Sequence, residues 1–219
     1  AGLALAPENQ ESLFQTPGLV KMAAESCAAE ATPENEQTRE AGISLLASLA
    51  GHKAHCRALF TTHGVSEAVC KAVVSEPDGS LVREAAVAAV RSFAQNGDNL
   101  KALKAYPKLA RGLVEAVQAE AVGSRARAEA LICLCEHHEF LDLKKDLDDA
   151  SFLASLVDAM REEAPGSDER GAAFRLATFA VEHGHYALSQ AAGALDAALA
   201  AVRPASPASA LSGGGGSGI

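Results

Sequence analysis

Apolar and small residues recur along most of the chain at steps of three and four, the spacing of one helical face. Val65, Val69, Ala72 and Val73 show it, and so do Leu109, Leu113, Ala116 and Val117. Alternation of period two, which would signal half-buried strands, does not organise the sequence. The pattern predicts helices, and it predicts them in a recurring order. Similar medium-length helices begin at Leu19, Val65, Leu109, Phe152 and Leu195, separated by 46, 44, 43 and 43 residues.

A turn cluster follows each of the first four: ATPENE, SEPDGS, AVGS and APGSD. Pro, Gly, Asp and Ser at such points stop one helix and cap the next. A longer apolar helix comes after each turn: TREAGISLLASLAG, VREAAVAAVRSFAQN, ARAEALICLCEHH and ERGAAFRLATFAVEH. Aligning these on a paired apolar signature matches Leu46/Leu49 with Val90/Phe93, Leu131/Leu134 and Leu176/Phe179. A third, short helix is marked by Leu59, Leu103, Leu143 and Leu188, with Leu13 at the same point before the first unit.

Three helices in 43–46 residues, entered through a glycine corner such as Pro17-Gly18 or His63-Gly64, resemble the armadillo repeat. Units of that class and of its two-helix relatives run to about 40–47 residues. The resemblance implies an all-α fold, a right-handed α-solenoid of armadillo-like three-helix repeats, whose units bury their apolar faces only by stacking. It covers residues 9–203, read as four repeats and the first two helices of a fifth. Residues 1–8 are expected to be a tail or the end of a preceding segment. Residues 204–219, rich in Pro, Ser and Gly, are expected to be a flexible linker. The absence of an initiator Met at Ala1 suggests a fragment or a processed form.

Composition narrows the core and the partner. Aromatic residues are 4% with no Trp, so a core drawn from the 48% hydrophobic residues must be built of Ala, Leu and Val, which suits close helix packing. The net charge of −9 lacks the basic footprint of nucleic-acid binding. No apolar run is long enough to span a membrane, and no secretory signal is visible. The charge is uneven. Lys101, Lys104, Lys108, Arg111, Arg125 and Arg127 against Glu115 and Glu120 give residues 101–127 a local net of +4, while residues 142–169 carry −6. Such blocks are ordinarily solvated helix faces, yet their asymmetry could orient a charged partner. The odd set Cys27, Cys56, Cys70, Cys133 and Cys135 does not form a disulfide framework. It predicts reduced thiols in a reducing compartment, cytoplasmic or inside a cilium or organelle.

Peptide-binding armadillo proteins resemble one another in carrying an Asn on each long helix. The signature alignment places that position at Ser48, Ser92, Cys133 and Thr178, small and weakly polar, so the Asn ladder is missing. One turn further lie His52, Asn96, His137 and Glu182. Two adjacent rows on a concave face are expected, with Arg125 and Arg127 beside their centre, and an acidic partner segment near Asn96, Arg127 and His137. The plain structural reading of the histidine-rich ends is that they cap helix C-termini and complement the dipole.

No catalytic motif is present: no G-x-S-x-G, no phosphate loop and no H-E-x-x-H. Asp148-Asp149 and Glu162-Glu163 read as solvated or capping carboxylates. Cys133, Cys135, His137 and His138 are the strongest metal-like cluster, but residues two apart on a helix point roughly 200° from each other, and no C-x-x-C is present. No metal and no cofactor is expected. The expectation is a non-catalytic scaffold or adaptor that binds other proteins on its concave or outer face. The alternatives are an armadillo-type nucleotide-exchange cofactor of a chaperone and a structural subunit of a large ciliary or organellar complex.

Overall fold

The computed structural model describes residues 7–138 and 150–182, and among these every regular element is a helix. There are α1 (Pro7–Gln15), α2 (Leu19–Ala28), α3 (Glu36–Ala50), α4 (Lys53–Thr61), α5 (Val65–Ser75), α6 (Leu81–Ala94), α7 (Gly97–Lys104), α8 (Leu109–Ala119), α9 (Arg125–Glu136), α10 (Ala150–Glu162) and α11 (Asp168–Glu182). The medium helices α2, α5 and α8 start at the expected Leu19, Val65 and Leu109, and α10 starts two residues before Phe152. The short helices expected at Leu143 and Leu188, the fifth unit from Leu195 and the tail lie outside the described residues.

Like packs on like. The long helices pack in chain order, α3 on α6, α6 on α9 and α9 on α11; the medium helices pack α2 on α5, α5 on α8 and α8 on α10. Each medium helix also packs on the long helix that follows it, and α4 touches α7. Between these layers runs one continuous apolar core, in which Ile43, Leu46, Leu49, Val87, Val90, Phe93, Leu113, Leu131, Leu134 and Phe152 have no exposed surface. Small residues set the spacing. A Cβ on Gly42 would stand 2.7 Å from the Ala23 carbonyl oxygen, so α2 and α3 meet nearly backbone to backbone.

The corners follow from local chemistry. Gly18 and Gly64 turn the chain into α2 and α5 with φ of 77° and 82°, a left-handed conformation open to glycine without penalty. At the third such corner the residue is Lys108, at φ 64°. Ser80, Ser124 and Ser167 cap the long helices by accepting from backbone amides, those of Arg83, Arg127 and Arg170 among them.

Those serines, and a buried arginine three residues after each, fix the true phase of the repeat. Arg39, Arg83, Arg127 and Arg170 are all buried near the starts of α3, α6, α9 and α11, 44, 44 and 43 residues apart. The signature alignment is therefore three residues out on α9 and one out on α11. Val90 matches Leu134, not Leu131, and the position of Ser48 and Ser92 falls on Glu136 and Phe179.

Arg39, Arg83 and Arg127 reach as rungs from one unit to the next. Arg39 of α3 forks onto Glu76 just after α5. Arg83 of α6 lies 3.7 Å from Glu120 just after α8, binds Asp78 and donates to the Gly112 carbonyl. Glu120 also accepts from the amide of Gly79, and Glu163 from that of Gly123. Glu76, Glu120 and Glu163 are themselves buried, which is tolerable for a carboxylate only with partners of this kind.

Candidate interaction face

The long helices α3, α6 and α9 share an exposed side, and over it lies a cleft of about 820 Å³. Its floor is made of short side chains, Ser44, Ala47 and Ser48 from α3 and Ala85, Ala88 and Ser92 from α6. These residues sit at steps of three and four, so they share one side of each helix. Gln10 and Lys53 stand at one end; Arg91, Gln95, Arg125, Glu129 and Glu136 form the other. Ser48 and Ser92, both half-buried, thus share one surface, with His52 and Arg125 in its walls.

The other sequence-derived positions divide. Cys133 was expected beside Ser92 on the surface; it is fully buried. The cause is the three-residue phase error: Cys133 stands where α6 has the buried Ala89. Burial pushes its thiol up to about 12. Thr178 is exposed on α11 but lines a different hollow of about 430 Å³, with Cys135, His138, Phe174, Arg175 and Phe179. Asn96 is the N-cap of α7, its side-chain oxygen accepting from the amides of Asp98 and Asn99 at 3.0 and 3.2 Å. It also edges a hollow of about 350 Å³ shared with Ser92 and Gln95. His137 is the half-buried C-cap of α9. Glu182 closes α11, and its side chain lies outside the described residues, as do His183 and His185.

The two arginines also part company. Arg125 is exposed, 3.9 Å from Glu84 and 3.7 Å from Glu129. Arg127, expected to meet an acidic partner, is buried and donates to the Ser155 carbonyl at 3.0 Å. It is the third member of the buried arginine row, so it faces the neighbouring unit rather than the cleft. His137 thus sits at the expected C-terminal end of a long helix, whereas His52 does not act as such a cap. His52 is the N-cap residue of α4 and makes no side-chain cap bond. Its ring stacks 4.5 Å from that of His55, which stacks 4.4 Å from Phe14. His55 Nε2 lies 2.8 Å from Glu11 Oε2. The cluster fastens α1 onto α4.

The polar end of the cleft was not anticipated. Arg91 of α6 grips Glu136 of α9 with two bonds of 3.2 and 3.1 Å and Glu129 with a third of 2.9 Å. Gln95 adds a bond to Glu136 at 3.0 Å. Partial burial alone would raise the Glu136 carboxyl, but bonds and charge from Arg91 outweigh it and hold it below its ordinary value. In phase, Glu136 is the α9 counterpart of Ser48 and Ser92, so the in-phase serine caps were the signal that could have found it.

Chemically, this face offers hydrogen bonds, shape and modest paired charge. Among the described residues no three His, Cys, Asp or Glu side chains come together to hold a metal ion. No described helix is long and apolar enough to cross a membrane. No family model, no curated protein and no solved structure matches the chain.

Proposed function

We propose that the chain is an armadillo-type α-solenoid that acts without catalysis, as a scaffold or adaptor receiving a segment of a partner protein over α3 and α6. The observation that carries this reading is the cleft, whose floor of Ser and Ala side chains leaves room for an extended backbone between polar walls. The ordered packing of long helix on long helix supports the repeat assignment. An Asn ladder is no part of the reading, since the in-phase row is Ser48, Ser92, Glu136 and Phe179. An acidic segment would meet Arg125 and Lys53 here rather than Arg127. Five free thiols, four of them buried, are in keeping with a reducing compartment.

The test is photo-crosslinking from a benzophenone side chain placed at Ser48 or Ser92, compared with one at the exposed Met22 of α2. Partner adducts are expected from the two cleft positions. Ser92→Trp, which fills the cleft, should weaken partner binding on the order of tenfold or more, as obstruction of an interface centre does. Adducts from Met22 alone would move the interface to the medium-helix side and refute the cleft.

A further inference from the structure

The basic block of residues 101–127 is not one surface. Arg127 is buried against Ser155, Arg125 leans on Glu84 and Glu129, and Arg111 pairs with Glu115 at 2.9 Å. Lys101, Lys104 and Lys108 are left, all exposed and with no ion pair among the described residues. Lys101 and Lys104, three apart on α7, share one helix face, and Lys108 follows at the corner into α8. Of the nearby acids, Asp98 pairs with Arg57 at 3.4 Å, and the exposed Glu67 leaves the three lysines in excess.

Lys101 and Lys104 have an ordinary justification, since cations in the last turn of a helix complement its dipole. Lys108 has the reverse. It is the N-cap residue of α8, where the helix dipole disfavours positive charge. It also holds φ at 64°, while the equivalent corners use Gly18 and Gly64. A lysine there costs stability twice, through strain and through charge, and nothing within the described fold offsets either. Strain kept at one corner of a repeating structure points to use of that corner.

We infer that the α7–α8 corner is a docking point for an acidic peptide segment, with Lys101, Lys104 and Lys108 supplying the charge. The site is separate from the cleft, and rests on the reading of the chain as a protein-interaction module. An acidic peptide fits better than nucleic acid because the chain as a whole carries −9, which repels a long polyanion beyond the corner.

The experiment is fluorescence anisotropy of a labelled hexaglutamate peptide against the full chain. Binding is expected at low salt and should weaken markedly at about 150 mM, where the screening length is about 8 Å. Lys101→Gln and Lys104→Gln should each weaken it about 1.5- to 5-fold, the range of an exposed ion pair. Lys108→Gly should weaken it comparably while raising the melting temperature by about 2–4 °C, so lost binding cannot be lost folding. Lys21→Gln, at an exposed lysine of α2, should leave peptide binding unchanged. No binding at low salt, full affinity in Lys108→Gly, or tighter binding of a single-stranded oligonucleotide with six phosphates would each overturn the proposal. If the peptide fails while cleft crosslinking persists, the corner is wrong and the cleft stands.

Discussion

Cysteine shows how far position within a repeat decides chemistry. Cys27, Cys56, Cys70 and Cys133 are buried, and burial drives Cys27 to about 11 and Cys70 and Cys133 to about 12. Thiolate is the reactive form, so these four should be inert at neutral pH. Cys135 is half-buried, with Arg175 Nε donating to its sulfur at 3.0 Å. Iodoacetamide at neutral pH should label one thiol in the native chain, mapping to Cys135, and five after denaturation. Rapid native labelling of Cys133 would mean that α9 is out of the phase described. Which of Cys133 and Cys135 faces the core was not legible in the sequence. Both lie in an apolar run, and ICLC satisfies a helical period in more than one setting.

Element existence, by contrast, was legible. Periodicity marked α2, α3, α5, α6, α8 and α9 because each buries a wide apolar stripe, and the Pro and Gly clusters marked their ends. The phase of α9 was missed because Leu131 and Leu134 imitate the spacing of Val90 and Phe93. The polar rows that fix the phase, Arg39 with Arg83, Arg127 and Arg170, and Glu76 with Glu120 and Glu163, repeat every 43–44 residues. Charged residues are usually assigned to solvent, so that regularity carried no weight. The candidate face was half legible: Ser48 and Ser92 share one surface as the alignment placed them, whereas the Arg91–Glu136 wall depends on the corrected phase. The rungs have a measurable energy. Glu120→Leu should destabilise by about 1–3 kcal/mol, because it leaves the Gly79 amide without its acceptor and the buried Arg83 with Asp78 as its remaining carboxylate. The double variant Arg83→Met with Glu120→Leu should lose less than the sum of the two single changes, since an apolar pair leaves no buried charge unpaired. Chemical denaturation of the parent, the two single variants and the double variant measures the cycle, and additive losses would show the pair to be uncoupled.

At the scale of the molecule, contacts run mostly between neighbouring elements and neighbouring units, so stability should be close to a sum of local and nearest-neighbour contributions. The Arg83–Glu120 rung has a consequence for how such a chain can grow. Residues 80–123 begin at the serine cap of α6 and end at the glycine before the next serine cap. They contain Arg83, its acceptor Glu120 and the Gly123 amide that the following glutamate uses. A tandem copy of those 44 residues would supply a complete new rung and present the old junction unaltered to Ser124. Gene duplication in that frame is thus nearly free of repair. The lengthened chain should fold and melt above the parent by calorimetry, whereas a tandem copy of half a unit, residues 80–101, would interrupt α7 after Lys101 and add a second Arg83 with no second Glu120 to receive it. Equal stability of the two insertions would mean that the buried ion pairs do not set the frame of the repeat.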